Sequence, residues 1–263
     1  MEVEGRGRIV VWPGGSLWVL KAARESGRTD FHAHHAIQIT FALKGDFELR
    51  TADERLTGPA VAVAPDARHI FHAHGMVAIL FVEPESVAGR SIRDSFDDGR
   101  ALVEIETGAI ARQLATLKDA GADAGIADEA LARAGREIIA ALTGPRTQAS
   151  NPRVEAMIAH AAARLDGAVS LGSAASAACL SQSRARHLFV EQTGLPFKSW
   201  LLWLRIQRAV EAYASGSSLT EAAHEAGFAD SAHLSRTFRR HFGLPAAALS
   251  INKNYVGDAA GRA

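Results

Sequence analysis

The chain has 263 residues, 48% of them hydrophobic, and a single cysteine, so it holds enough apolar material for one large or two modest cores and is no disulfide framework. Its 29 basic and 29 acidic residues cancel overall, but residues 151–263 carry 12 Lys and Arg against 8 Asp and Glu, a net of +4, and residues 1–150 a net of −4. An acidic half joined to a basic half fits a partner domain beside a nucleic-acid domain. With no basic-then-apolar leader and no apolar run of about 18 residues, secretion and membrane spanning are not expected, and a cytoplasmic protein is.

Residues 1–90 read as short strands. Apolar runs at Ile9–Trp12, Leu17–Leu20, Ile37–Leu43, Phe47–Leu49, Val61–Val63 and Val77–Val82 are broken by Gly, Pro and Asp, the rhythm of a small β-barrel or sandwich. Within them, residues 32–45 read HAHHAIQITFALKG. On a strand His32, His34 and Gln38 share one face, and Ile37, Ile39, Phe41 and Leu43 the other. His32, His34 and Gly45 resemble the first cupin motif, with Gln38 where cupins carry Glu; Gly58, Pro65 and His69 follow the second motif in outline. Three readings of the imidazoles stand. His32, His34, Gln38 and His69 hold a divalent metal; or these residues with His72 hydrogen-bond an organic effector; or the histidines are structural. His35 and His74 read as surface or strand-end residues.

From Ile92 the pattern turns helical, with apolar three- and four-residue spacing over Ile105–Leu117 and Ala127–Leu142. Residues 144–151 read as a linker. Asn151 then caps a helix with Pro152 at its first position, and Val154, Ile158, Ala161 and Leu165 face inward. A helix–turn–helix follows: Leu171–Ala178, then a helix capped by Ser181 with Leu188 and Phe189 inward. Cys179, read as a small buried residue, stands at the turn. Phe197–Ser215 is one long helix, in which Trp200, Leu204 and Val210 are core residues. A second helix–turn–helix spans Leu219–Leu249. Ala222, Ala223 and Ala226 form a flat inner face, Gly227 the turn, Asp230 or Ser231 the cap, and Leu234, Phe238 and Phe242 the inward stripe.

The residues Ala223, Gly227, Phe228, Asp230, Leu234, Ser235, Arg236, Phe238, Arg239, Phe242, Gly243 and Pro245 resemble the signature of AraC/XylS-type transcription regulators. Leu180, Ser181, Phe189, Gly194, Pro196 and Phe197 repeat part of it, and Arg205, Ile206 and Ala209 match the family's spacer helix. Cys179 departs from the usual glycine and Ala185 from a larger apolar residue. The resemblance implies an α+β chain of two domains. Residues 1–143 form a cupin-like β-barrel sensor and dimerisation domain with helices from about residue 92. Residues 152–251 form an all-α double helix–turn–helix DNA-binding domain whose modules are joined by a long helix, and residues 252–263 a tail.

On this reading the protein is a sequence-specific DNA-binding transcription regulator, with DNA affinity or geometry modulated by a small molecule at the barrel. The alternatives are a regulator without small-molecule input and, further off, a metal-dependent cupin enzyme. Base contacts fall to Gln182, Ser183, Arg186 and His187 on the first reader helix and to Ser231, Ala232, Ser235 and Arg236 on the second. Arg186 and Arg236 suit guanine, because a guanidinium donates two bonds to O6 and N7. Arg239, Arg240 and Lys198 suit phosphate. No catalytic residue and no required cofactor are expected. The implied partners are double-stranded operator DNA, a small-molecule effector, a second copy of the chain and, for an activator, RNA polymerase; a membrane is not among them.

Overall fold

The computed structural model describes residues 5–22, 27–96, 99–122, 126–143, 151–165, 167, 169–246 and 249–253. Its contacts divide the chain into two compact units. One comprises Met1–Thr147, Ala214–Gly216 and Phe238–Ala263; the other comprises Gln148–Tyr213 and Ser217–Thr237.

The first unit is built on one eight-stranded sheet. Its strands are β1 (Gly5–Trp12), β2 (Gly15–Ala22), β3 (Ile37–Arg50), β4 (Arg55–Thr57), β5 (Ala60–Val63), β6 (Ile70–Val82), β7 (Leu102–Glu104) and β8 (Leu249–Lys253). The order is β7-β5-β3-β6-β2-β1-β8, with β4 beside β3. Every pairing is antiparallel except β1 with β8. The runs expected as separate strands at Ile37–Leu43 and Phe47–Leu49 are one strand, with a register shift between Ala42 and Lys44. Ladder pairing with β6 on both sides of the shift keeps β3 continuous. Asn252 and Lys253, expected to belong to a tail, pair instead with Arg8 and Ile9 in β8; residues 254–263 lie outside the described residues.

Strand alternation gives the sheet two different faces. Ile37, Ile39, Phe41 and Leu43 join Leu17, Val19, Leu80 and Val82 in the hydrophobic core. That core is closed by α2 (Ala111–Ala122) and α3 (Asp128–Leu142), through Leu117, Leu131 and Ile138. Arg8 pairs with Asp128 at the start of α3. Gln38 and Thr40 point the other way and are also buried, so that face is covered too. A short helix, α1 (Val87–Arg93), follows β6. The expected linker, residues 144–151, lies outside the described residues apart from Asn151.

The second unit is helical. Asn151 caps α4 (Pro152–Ala162) through Arg153 N at 3.0 Å, with Pro152 in the first turn. Two helix pairs follow: α5 (Leu171–Ala177) with α6 (Gln182–Thr193), and α8 (Leu219–Glu225) with α9 (Ser231–Phe242). Between them runs α7 (Phe197–Ala214). The contact division falls within α7 and within α9, and places the last turn of α9 in the first unit. Trp200 and Trp203 are buried, as core tryptophans should be. Trp200 packs edge-on to Phe189, with ring centroids 5.4 Å apart.

Candidate nucleic-acid interface and histidine cluster

The two helix pairs are built by the same local chemistry. Ser170 and Ser173 form a capping box at the start of α5, and Ser218 and Glu221 form one at the start of α8. Each first helix closes with the same backbone bond, Leu180 N to Ala175 O and Phe228 N to Ala223 O, both 2.9 Å. The turn residue has positive φ in both, +53° at Cys179 and +74° at Gly227. The left-handed turn conformation is therefore kept at Cys179, although it carries a side chain. Cys179 is exposed, against the expectation of burial, because that turn faces outward. The missed partner here is Arg153, whose guanidinium donates to the carbonyls of Ala178 and Cys179 at 2.7 and 3.1 Å and holds the end of α5. At Gly227 an added Cβ would stand 2.5 Å from the Leu165 carbonyl, so this turn has no room for one.

The second helices present their expected faces. Ser181 caps α6 through Arg184 N, and Asp230 rather than Ser231 caps α9 through His233 N. Ala185, Leu188 and Phe189 are buried on α6, as are Leu234, Phe238 and Phe242 on α9. Gln182, Ser183, Arg186, His187, Ala232, Arg236, Arg239, Arg240 and Lys198 are exposed, and Ser231 and Ser235 are half-buried. Arg184, not singled out in the sequence, is exposed on the first turn of α6. Aligning Phe189 with Phe238 and Gly194 with Gly243 sets Val190 and Glu191 of α6 against Arg239 and Arg240 of α9. The cationic tail is thus confined to the second helix. Arg239 is engaged: its guanidinium donates to an Asp30 carboxylate oxygen at 2.8 and 3.2 Å.

The histidines meet on the second face of the sheet. His32 and His69 are joined by paired backbone bonds of 3.0 and 2.9 Å just ahead of β3 and β6. Ring centroids are 4.2 Å apart for His32 and His69, 5.1 Å for His34 and His69, and 5.8 Å for His32 and His34. One ring nitrogen from each lies within 4.8 Å of the others, and all three residues are buried. Nδ1 of His32 donates to the Asp30 carbonyl and Nδ1 of His69 to the Ala67 carbonyl, which leaves each Nε2 as the lone-pair atom. The Nε2 of His69 is buried with no hydrogen-bond partner among the described residues. His34 faces the Ala36 carbonyl through Nδ1 and Gln38 through Nε2, at 3.0 and 2.9 Å, and Gln38 goes on to Thr40.

Burial, with the other imidazoles adding to it, keeps this cluster neutral. His32 is pushed down to about 3 by burial and by His34. Burial lowers His34, and burial with the His34 and His32 charges lowers His69 well below the usual range. A neutral His34 carries one ring proton. With that proton on Nε2, His34 donates to the side-chain oxygen of Gln38, whose NH2 donates to Thr40 Oγ1. Three neutral imidazoles, one with an orphaned buried nitrogen, are a donor set that fits a divalent ion.

Two histidines differ from their sequence reading. His72 does not join the cluster; it pairs with His74 at 4.3 Å between ring centroids and is partly exposed. Its place opposite Glu48 in the β3–β6 ladder directs it away. His35 is buried, not a surface residue, and bonds Asp66 at 2.9 Å and Glu85 at 2.6 Å. Burial alone would lower it, but the two carboxylates hold the imidazolium and raise it to about 9. No sequence spacing links residues so far apart along the chain.

Other lining comes from the last turn of α9. Phe242 stacks on Trp18 at 5.2 Å and meets Phe81 at 5.7 Å and His34 at 6.1 Å. His241, half-buried, is held down at about 4 by burial and by His34. The sequence marked Phe242 only as an inward residue of its helix.

Residues 174–250 match a family model described as a helix-turn-helix domain. With two capped helix pairs and exposed polar second helices, these residues form a helix-turn-helix domain. Among solved structures it is similar to ToxT from Vibrio cholerae, with a TM-score of 0.58 at 11% identity, covering 90% of this chain and 99% of that one. It is similar also to ToxT from Vibrio cholerae O395 bound to (E)-4-(8-methylnaphthalen-1-yl)but-3-enoic acid, with a TM-score of 0.58 at 12% identity over 89% and 97% of the two chains. Wild-type ToxT from Vibrio cholerae strain SCE256 bound to an unsaturated fatty acid gives a TM-score of 0.53 at 11% identity over 88% and 92%. At these identities the likeness is one of fold. No curated protein sequence matches the chain.

Proposed function

We propose that the protein is a ligand-responsive cytoplasmic regulator that reads operator DNA with α6 and α9 and senses a small molecule through the buried face around His32, His34, Gln38 and His69. The observation that carries the DNA part is the pair of exposed, polar-headed second helices behind matching caps. Arg186 and Arg236 read guanine; Arg240 and Lys198 hold phosphate, joined by Arg239 when it leaves Asp30. An 18-residue α7 is about 27 Å long, comparable with the ~34 Å repeat of a major groove. The protein works as a homodimer, and contacts RNA polymerase if it activates.

The sensing part rests on the orphaned His69 nitrogen amid aromatic rings. The carboxylic acids named for the ToxT structures support a small organic acid as effector. A divalent metal is the second reading, held by His32, His34 and His69; it would supply a Lewis-acidic centre for an effector oxygen. Thermal shift of the full chain with long-chain fatty acids and with zinc tests both. A rise in midpoint with one ligand, accompanied by a change in DNA affinity, is expected. Indifference to both sets of ligands contradicts the sensing role.

A further inference from the structure

The histidine cluster and the end of the second reader helix share one short segment, Thr29–His34. Asp30 makes two contacts with the turn that ends α9. Its backbone N–H donates to the Gly243 carbonyl at 2.8 Å, and its carboxylate takes the Arg239 guanidinium. Gly243 is packed so closely here that an added Cβ would lie 2.5 Å from the Asp30 carbonyl, 2.7 Å from His32 Nδ1 and 2.8 Å from Thr29. Phe242, buried beside Trp18, Phe81 and His34, anchors the turn. His32, which hydrogen-bonds the Asp30 carbonyl, belongs to the cluster at the same time.

We infer that this segment is an autoinhibitory latch: Asp30 occupies Arg239 and so withholds a phosphate anchor from DNA. The inference rests on the DNA-binding reading and adds its regulation. Chemistry supports the competition. A guanidinium forks onto a carboxylate or a phosphate with the same geometry, so one partner excludes the other. Both side chains are about two-thirds exposed, at 63% and 64%, so the pair exchanges with solvent and with phosphate. The backbone bond and the buried Phe242 hold the turn in place meanwhile. A ligand that draws His32 toward His34 and His69 moves the carbonyl of Asp30, and the latch with it.

The test uses the full chain and a duplex recovered by it from a random pool, beside an unrelated duplex of equal length. Asp30→Asn keeps the backbone bond and removes the charge. It is expected to tighten binding to both duplexes by about twofold to fivefold at low salt, the range of an exposed ion pair. The slope of log affinity against log salt should steepen by about one ion. Removing any acidic group near DNA also favours binding, so the decisive comparison is made in Arg239→Gln. There Asp30→Asn should have no effect. An unchanged affinity on the native background, or an equal gain with and without Arg239, overturns the latch. A chain that recovers no duplex refutes the DNA reading and the latch together. Recovery with indifference to Asp30→Asn refutes the latch alone.

Discussion

At the residue scale, exposure and chemistry separate readers from anchors. Arg236 is exposed on the second turn of α9, where a bidentate bond to guanine is within its reach. Arg236→Ala should cost about 1–3 kcal/mol on the selected site and relax base choice at one position. Arg240→Ala should weaken all sequences alike and flatten the salt dependence by about one ion. Binding titrations on the selected and single-base-changed duplexes, at several salt concentrations, check both. His35 gives a pH prediction. Its folded pKa is raised to about 9, so its contribution to stability is complete below the unfolded value of about 6.5 and is lost as pH rises to 9. The stability difference between wild type and His35→Gln should therefore shrink across pH 6.5 to 9, read by denaturant titration. A constant difference would mean that the carboxylates do not hold a charged ring.

At the element scale, the two helix–turn–helix pairs share caps but differ at the turn. A side chain in the left-handed region costs about 1–2 kcal/mol, and glycine is the usual answer. Gly227→Ala adds a clash with the Leu165 carbonyl to that strain and should destabilise by about 2–3 kcal/mol. Cys179→Gly relieves the same strain but loosens the unfolded chain, so its effect should stay within about 1 kcal/mol. Melting curves of the two variants test the asymmetry. Glycine at the second turn was readable because its conformational need is local. Caps at Asn151, Ser181 and Asp230, and the inward stripes of α6 and α9, were readable for the same reason. The burial of His35 and the pairing of Asp30 with Arg239 were not. They join residues remote along the chain, and periodicity carries no information on such pairs. Parity did anticipate the histidine cluster, because His34 and Gln38 lie on the face opposite Ile37 and Ile39 even though His34 precedes the strand.

At the scale of the whole molecule, a negative N-terminal half and a positive C-terminal half fit the proposed division into a sensing part and a DNA-reading part, and the last turn of α9 belongs to the first unit. That single turn carries Arg239, His241 and Phe242, which is why the proposed latch would tie the histidine face to a DNA contact. Gln38→Glu would place a carboxylate beside His34 and should raise divalent-ion affinity by roughly tenfold, read by competition with a chromogenic chelator. No gain would leave the cluster as an organic-ligand site or a structural one. The central claim remains that α6 and α9 read DNA together. Selection of bound duplexes from a random pool by the full chain tests it most directly. Two short fixed blocks about ten base pairs apart, one lost in an Arg186→Ala chain and the other in an Arg236→Ala chain, are the expected result. A single block, or no sequence preference at all, would contradict it.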